Sequence, residues 1–349
     1  IMNVFYIFMV AFCISFALTP INIYISKKYG FIDIPKDNRR MHKDAVATIG
    51  GLGIFIAFLV TILLFVDLSP KLIAILIGSA ILVVTGMVDD KIDIKPKVKL
   101  ILQITAAIIV VAAGVKITHI TNPFRPQDTI SLGIVGPILS VIWIVGVSNA
   151  LNFIDGMDGL CAGLSTISAL TFYFSSEKIG FVPTLSLAIA GSTLGFLPYN
   201  FNPAKIFMGD TGALSIGFIL ACLSVEGVMK SVTTMTLIVP VLILALPVFD
   251  TLFAIFRRAI NGKKIMMADK GHLHHRLVQS GYTVKQAVLI MYGLSITCSL
   301  MGLLISKVPP AFGMVLSALT IIMIVVLATI FGLFRKDGKN NEDKINEGE

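Results

Sequence analysis

Charge is what this sequence lacks. Only 14% of its 349 residues are Asp, Glu, Lys or Arg, while 56% are hydrophobic and the mean hydropathy is +0.91. Soluble domains carry about a quarter charged residues, so this chain has too few polar side chains to cover a water-facing surface. Cysteine is scarce as well. Cys13, Cys161, Cys222 and Cys298 lie inside apolar stretches without paired spacing, which reads as small buried hydrophobes rather than disulfides or metal ligands. One Trp stands against 23 Phe and 14 Met, a mixture suited to lipid and helix–helix contact. No internal repeat is visible, which weakens a transporter built from duplicated halves.

What is present is a series of apolar runs. A bilayer-crossing helix needs about 20 such residues. The runs predict spans at 2–25, 46–66, 70–88, 98–115, 130–148, 160–175, 183–198, 211–226, 233–256, 285–306 and 311–334. The expected fold is therefore an all-α integral membrane bundle of about eleven transmembrane helices, a single polytopic domain over residues 1–334. A polar tail, 335–349, is expected to be disordered. The first run has neither a preceding basic residue nor a small-residue cleavage site, so it reads as a span rather than a signal peptide. With alternating loops, 22 of the 28 Lys and Arg fall on one side. Positive charge stays cytoplasmic, which predicts an external N-terminus and a cytoplasmic C-terminus. The net charge of +8 then reflects a basic face beside anionic lipid, not a nucleic-acid partner.

The acids and histidines gather on that cytoplasmic side. Carboxylates at membrane level are costly, and several converging there suggest a site. Asp89, Asp90 and Asp93 end the third span; they fit a shared hard cation such as Mg²⁺ or a solvated turn that ends the helix. Asn149, Asn152, Asp155 and Asp158 lie between two spans with Gly156 and Gly159 and no basic residue. They fit a ligand site, or helix caps. Asp210, in Phe207–Gly212, opens the eighth span, either as its N-cap or beside a phosphate at a helix N-terminus. His272, His274, His275 and Arg276 follow in a basic loop and suit phosphate or pyrophosphate, with zinc or a solvated loop as the alternatives. Lys43 and Thr48 flank the start of the second span. The basic run there could be only a positive-inside signal, and the glycines of Thr48–Gly53 fit close packing or phosphate approach.

In order and spacing these runs resemble the polyprenyl-phosphate N-acetylhexosamine-1-phosphate transferase family. The motifs are DDxxD at Asp89–Asp93, NxxNxxDGxDGL at Asn149–Leu160, FMGDTG at Phe207–Gly212 and HLHHRL at His272–Leu277. The histidine form resembles the bacterial branch that transfers GlcNAc-1-phosphate to undecaprenyl phosphate, starting teichoic acid, enterobacterial common antigen or O-antigen synthesis. The resemblance implies UDP-GlcNAc and undecaprenyl phosphate as substrates, UMP as by-product, Mg²⁺ as cofactor with Mn²⁺ able to substitute, and a homodimer. The site would face the cytoplasm in a bacterial plasma membrane. Asp210 would be the principal Mg²⁺ ligand and Asn152 a second. Asp158 would contact the uracil and Asp155 shape the nucleotide pocket. His272, His274, His275 and Arg276 would hold sugar or pyrophosphate, and Lys43, Thr48, Asp93 and Asn149 would also meet substrate. Asp89 and Asp90 take the base or lipid-phosphate role.

Elementary acidity argues against a base. A phosphate monoester's second pKa is about 6 and a free Asp is near 3.9, so the acceptor is already largely dianionic at neutral pH. Asp89 acts as base only if Asp90 or burial raises its pKa; otherwise it positions Lys91, metal or water. An isoprenoid acceptor also predicts an apolar groove leading to Asp89 and Asp90. The competing readings are phospho-MurNAc-pentapeptide transfer and a secondary transporter. The transporter calls for polar residues at mid-membrane, whereas here they lie at one end.

Overall fold

The computed structural model describes residues 4–33, 45–122, 125, 128–176, 180–228, 238–260, 262 and 271–330. Thirteen α-helices occur among them: α1 (Val4–Tyr29), α2 (Gly50–Phe65), α3 (Pro70–Ile92), α4 (Pro96–Ala112), α5 (Val135–Ile154), α6 (Leu160–Ser175), α7 (Val182–Asn200), α8 (Gly209–Leu223), α9 (Ile238–Ile243), α10 (Ala245–Ile260), α11 (Leu273–Gln279), α12 (Val284–Ile305) and α13 (Pro310–Ile330). Two short antiparallel ribbons complete the fold. β1 (Ile32–Asp33) pairs with β2 (Val46–Ala47), and β3 (His119–Thr121) with β4 (Thr129–Ser131). The expected all-α polytopic membrane architecture is what the chain adopts.

Among the described residues seven helices are long and apolar enough to cross a membrane: α1, α3, α5, α7, α8 continued through a π-helical turn at Ser224–Val228, α12 and α13. Over the predicted stretches 46–66, 98–115 and 160–175, α2, α4 and α6 reach only 16 or 17 residues. The predicted span 233–256 is not one helix. It is broken between α9 and α10, and residues 229–237 lie outside the described set, as does the tail. Proline explains the break. Pro247 has no N–H to offer the Ile243 carbonyl four residues back, and that carbonyl instead accepts the Ser168 hydroxyl at 3.0 Å. Beyond the break α10 is two-faced, burying Asp250, Ala254, Arg257 and Arg258 while exposing Leu252, Phe256 and Ile260.

The centre of the bundle is α8, whose residues from Thr211 to Leu223 are all buried. In lipid, close helix approach relies on small residues and interhelical hydrogen bonds, and α8 uses both. A Cβ on Gly51 of α2 would fall inside the Gly212 backbone, and one on Gly86 of α3 inside that of Thr211. Ser148 of α5 donates to the Leu214 carbonyl at 2.7 Å. Of the two readings of the Thr48–Gly53 glycines, Gly51 serves close packing.

Candidate active site

Helix direction decides where the polar residues meet. α3, α5 and α7 finish, and α4, α6 and α8 begin, at one end of the bundle. A cavity of about 450 Å³ opens there, with Thr48, Asp90, Asp155, Asp158, Asn200, Asn202, Phe207, Asp210 and His275 on its walls. Six of the predicted site residues, from five separate stretches of the sequence, thus share one space.

The loop that carries Asp210 is stitched to the start of α2. Phe207 N–H donates to the Ala47 carbonyl (2.7 Å), and Gly50 and Gly51 N–H donate back to the carbonyls of Phe207 (3.0 Å) and Met208 (2.9 Å). Thr48 lies within this stitching, and its buried hydroxyl has no hydrogen-bond partner among the described residues. Gly209 turns the chain at φ +68°, where a Cβ would also meet the Asp90 carboxylate; only glycine satisfies both conditions.

Asp210 is not the N-cap of α8. That position is Met208, which makes no side-chain cap bond. Asp90 supplies the acceptor from α3. Its Oδ1 accepts from Asp210 N–H (2.9 Å), and its Oδ2 accepts from Thr211 N–H (3.2 Å) and the Thr211 hydroxyl (2.7 Å). Two otherwise orphaned helix donors and the positive end of the α8 dipole are satisfied together. The Asp210 side chain is thereby released toward Lys99 and Asn152.

Lys99, one turn into α4, joins the two acidic motifs. Its ammonium is 3.1 Å from Asp89 Oδ2 and contacts Asp210 Oδ2. Asp89 Oδ1 accepts from Ile94 N–H at 2.9 Å. The Asn152 amide satisfies both neighbours in one orientation, with its NH₂ 3.0 Å from Asp210 Oδ1 and its oxygen 3.3 Å from Lys99 Nζ. Asp89, Asp210 and Asn152 therefore direct oxygen donors at one cation. Hard oxygen donors of this kind suit Mg²⁺, which takes one or two carboxylates and completes its shell with water and phosphate. Among the described residues no group of three His, Cys, Asp or Glu side chains could hold a metal by itself.

Asp158 Oδ2 accepts from Asn202 Nδ2 (2.9 Å) and Ala204 N–H (3.0 Å). Asn200 accepts from Gly159 N–H (3.0 Å) and donates to the Ile206 carbonyl (2.9 Å). These bonds make the connection between α7 and α8 one rigid wall of the cavity. Asp155 faces the cavity, and its carboxyl makes no hydrogen bond among the described residues. Burial, with the charges of Asp90 and Asp158 nearby, pushes its pKa well above the ordinary carboxylate range.

The histidines divide their positions. His272 and His274 stack with ring centroids 5.6 Å apart and planes 12° from parallel, and His274 lies 4.2 Å from His275. Of the three, His275 reaches the cavity wall. His274 is buried, its Nδ1 has no hydrogen-bond partner among the described residues, and burial drives its pKa down to about 3, so it is neutral at neutral pH. Arg276 donates through Nε to the Gly271 carbonyl at 3.0 Å.

Other predicted residues lie elsewhere. Asn149 exchanges amide hydrogen bonds with Gln103 (2.6 and 3.2 Å) and so clasps α5 to α4 one turn below Lys99. Asp93 is exposed at the left-handed C-cap of α3. Lys43 lies outside the described residues. A small apolar pocket of about 60 Å³ between α10, α12 and α13 borders Asp250. Sequence reasoning missed Lys99, Asn200, Asn202 and Asp250. A polar pair at helical spacing in an apolar helix, Lys99 and Gln103, was the available signal for the first.

Residues 72–228 match glycosyl transferase family 4, a stretch that carries the site from Asp89 to Asp210. The chain is 38% identical over 335 residues to the probable undecaprenyl-phosphate N-acetylglucosaminyl 1-phosphate transferase of Bacillus subtilis (strain 168), covering 95% of this chain and 93% of that protein. It belongs to the polyprenyl-phosphate N-acetylhexosamine-1-phosphate transferase family. Over 297 residues it is 33% identical to the undecaprenyl-phosphate alpha-N-acetylglucosaminyl 1-phosphate transferase of Thermotoga maritima, covering 83% of this chain and 87% of that protein. Identity is 29% over 318 residues, 84% of this chain and 97% of the relative, with the phospho-N-acetylmuramoyl-pentapeptide-transferase of Staphylococcus aureus (strain MSSA476). The chain is thus a multi-pass membrane phosphoglycosyl transferase.

Proposed function

We propose that the enzyme transfers GlcNAc-1-phosphate from UDP-GlcNAc to undecaprenyl phosphate, giving GlcNAc-diphosphoundecaprenol and UMP, at the cytoplasmic face of a bacterial plasma membrane. The product would begin a teichoic acid or O-antigen type glycopolymer. The observation that carries this reading is the meeting of Asp89, Asp210, Asn152 and Lys99 beside a 450 Å³ cavity walled by Asp155 and Asp158. Such a cavity has the size and donors for a nucleotide sugar. The identities to the two N-acetylglucosaminyl transferases, both above that to the pentapeptide transferase, favour UDP-GlcNAc as donor.

In this reaction an acceptor phosphate oxygen bonds to the β-phosphorus of UDP-GlcNAc. The bond from that phosphorus to the bridging oxygen breaks, and UMP leaves with the electron pair. Asp210 and Asn152 would hold a Mg²⁺ ion, which neutralises pyrophosphate charge when bound. Lys99 brings a positive charge to the same place. Asp89 orients Lys99 through the 3.1 Å contact, since the dianionic acceptor has no proton to give up. Asp158 and the wall it fixes place the nucleotide, and His275 approaches the cavity from the opposite loop.

The test is UMP release by the purified protein in detergent with undecaprenyl phosphate, with and without Mg²⁺, against UDP-GlcNAc and UDP-MurNAc-pentapeptide in parallel. Lipid- and Mg²⁺-dependent release from UDP-GlcNAc alone is the expected result. Release from the pentapeptide donor alone would overturn the assignment of the sugar.

A further inference from the structure

Asp250 is not among the residues that wall the cavity, yet both of its carboxylate oxygens are engaged. It sits on the buried face of α10 at 5% exposure. Its Oδ1 accepts from Leu273 N–H at 2.8 Å, and its Oδ2 lies 2.8 Å from His272 Nδ1. Anchoring the first turn of α11 requires only the first of these bonds. The second is directed at a ring nitrogen, and an ionised carboxylate can only accept, so the ring carries its proton on Nδ1. His272 is thereby the fixed member of the histidine series. It lies flat on His274, whose Nδ1 has no hydrogen bond among the described residues to orient it and which packs in turn against His275 at the cavity wall.

We propose that Asp250 is a positioning residue of the active site. Acting through His272, it sets which ring nitrogen bears the proton and seats the histidine turn so that His275 meets the cavity. Carboxylate–histidine pairs do this wherever a ring must present a defined face. The kinetic part of the proposal rests on the transfer reaction proposed above; the placement of the proton does not.

The experiment uses the full chain in detergent with ring-¹⁵N histidine, the His272 signals being assigned by their loss in His272→Gln. Nitrogen shifts are expected to show Nδ1 protonated in the unaltered protein. In Asp250→Asn the amide oxygen can keep the Leu273 bond while its NH₂ donates to the ring, so the proton is expected to move to Nε2. UMP release should fall about 10–100-fold in Asp250→Asn, the range for loss of an orienting partner. In the His272→Gln background the same change should cost less than about twofold, because both act through one ring. An unprotonated Nδ1 in the unaltered protein overturns the proposal, and so do effects that simply multiply in the double variant. Silence of the unaltered protein toward UDP-GlcNAc defeats the transfer reading alone, and the nitrogen shifts still decide what Asp250 does to His272.

Discussion

Asp90 caps a helix that belongs to another motif: both of its carboxylate oxygens take donors from Asp210 and Thr211 at the start of α8. The second aspartate of the DDxxD run is thereby committed to building the site. An amide cannot replace it, because its NH₂ would face N–H donors. Asp90→Asn should lower stability by about 1–2 kcal/mol and reduce turnover at least tenfold through displacement of Asp210. Thermal unfolding in detergent measured beside UMP release decides the point. Unchanged stability with turnover abolished would make Asp90 a reacting group.

Lys99 holds Asp89 and Asp210 together, its ammonium in contact with both. Removing it with Lys99→Met leaves two partly buried carboxylates facing each other, which costs stability in the metal-free protein. Turnover should fall about 100-fold or more, in line with loss of a preorganised charge at a phosphoryl site. Thermal unfolding with and without Mg²⁺ separates this role from simple misfolding. Added Mg²⁺ should stabilise Lys99→Met more than the unaltered protein, since the ion meets carboxylates with no ammonium between them. Equal Mg²⁺ effects in the two proteins would contradict a shared locus.

Asp89 has both oxygens occupied, by Ile94 N–H and by Lys99, as a positioning group would. Asp89→Asn should therefore keep measurable turnover, down about 10–100-fold, that rises between pH 6 and 8 as the acceptor phosphate loses its second proton near pH 6. Turnover lost at every pH would instead restore a proton-accepting role to Asp89.

The fold class was legible because apolar runs of about 20 residues have few alternatives in water or lipid. The break within 233–256 was not, since Pro247 tolerates a helix start and only the Ser168 hydroxyl, distant in sequence, satisfies the carbonyl it frees. At the site, the acids were legible because carboxylates in so apolar a chain stand out. Their division of labour was not. Asp89 and Asp90 are adjacent, yet helix geometry turns one toward Lys99 and the other toward the start of α8. Asn149 and Asn152 are one turn apart, and only the deeper packing of Gln103 assigns Asn149 to clasping helices. Lys99 was not legible, because sign bias along a sequence does not reveal which lysine turns inward.

Among the buried titratable groups, Asp155 and His274 give the unliganded protein opposite pH slopes, and their variants separate them. Burial raises Asp155 well above its unfolded value near 3.9. Its contribution is fully present below that value and is lost as pH rises through the raised pKa, because a buried carboxylate must then ionise. Asp155→Asn should thus unfold at a higher temperature than the unaltered protein at pH 7–8, with the gap closing toward pH 4, even as the change harms the nucleotide pocket. His274 runs the other way. Its pKa is lowered to about 3, so its contribution is present above the unfolded value near 6.5 and lost as pH falls, at up to about 1.4 kcal/mol per pH unit. His274→Gln should flatten the acid limb of the unfolding profile. The check is a set of thermal unfolding curves from pH 4.5 to 8 on the three proteins. If His274→Gln loses stability as steeply as the unaltered protein between pH 6.5 and 4.5, the acid limb belongs to another group.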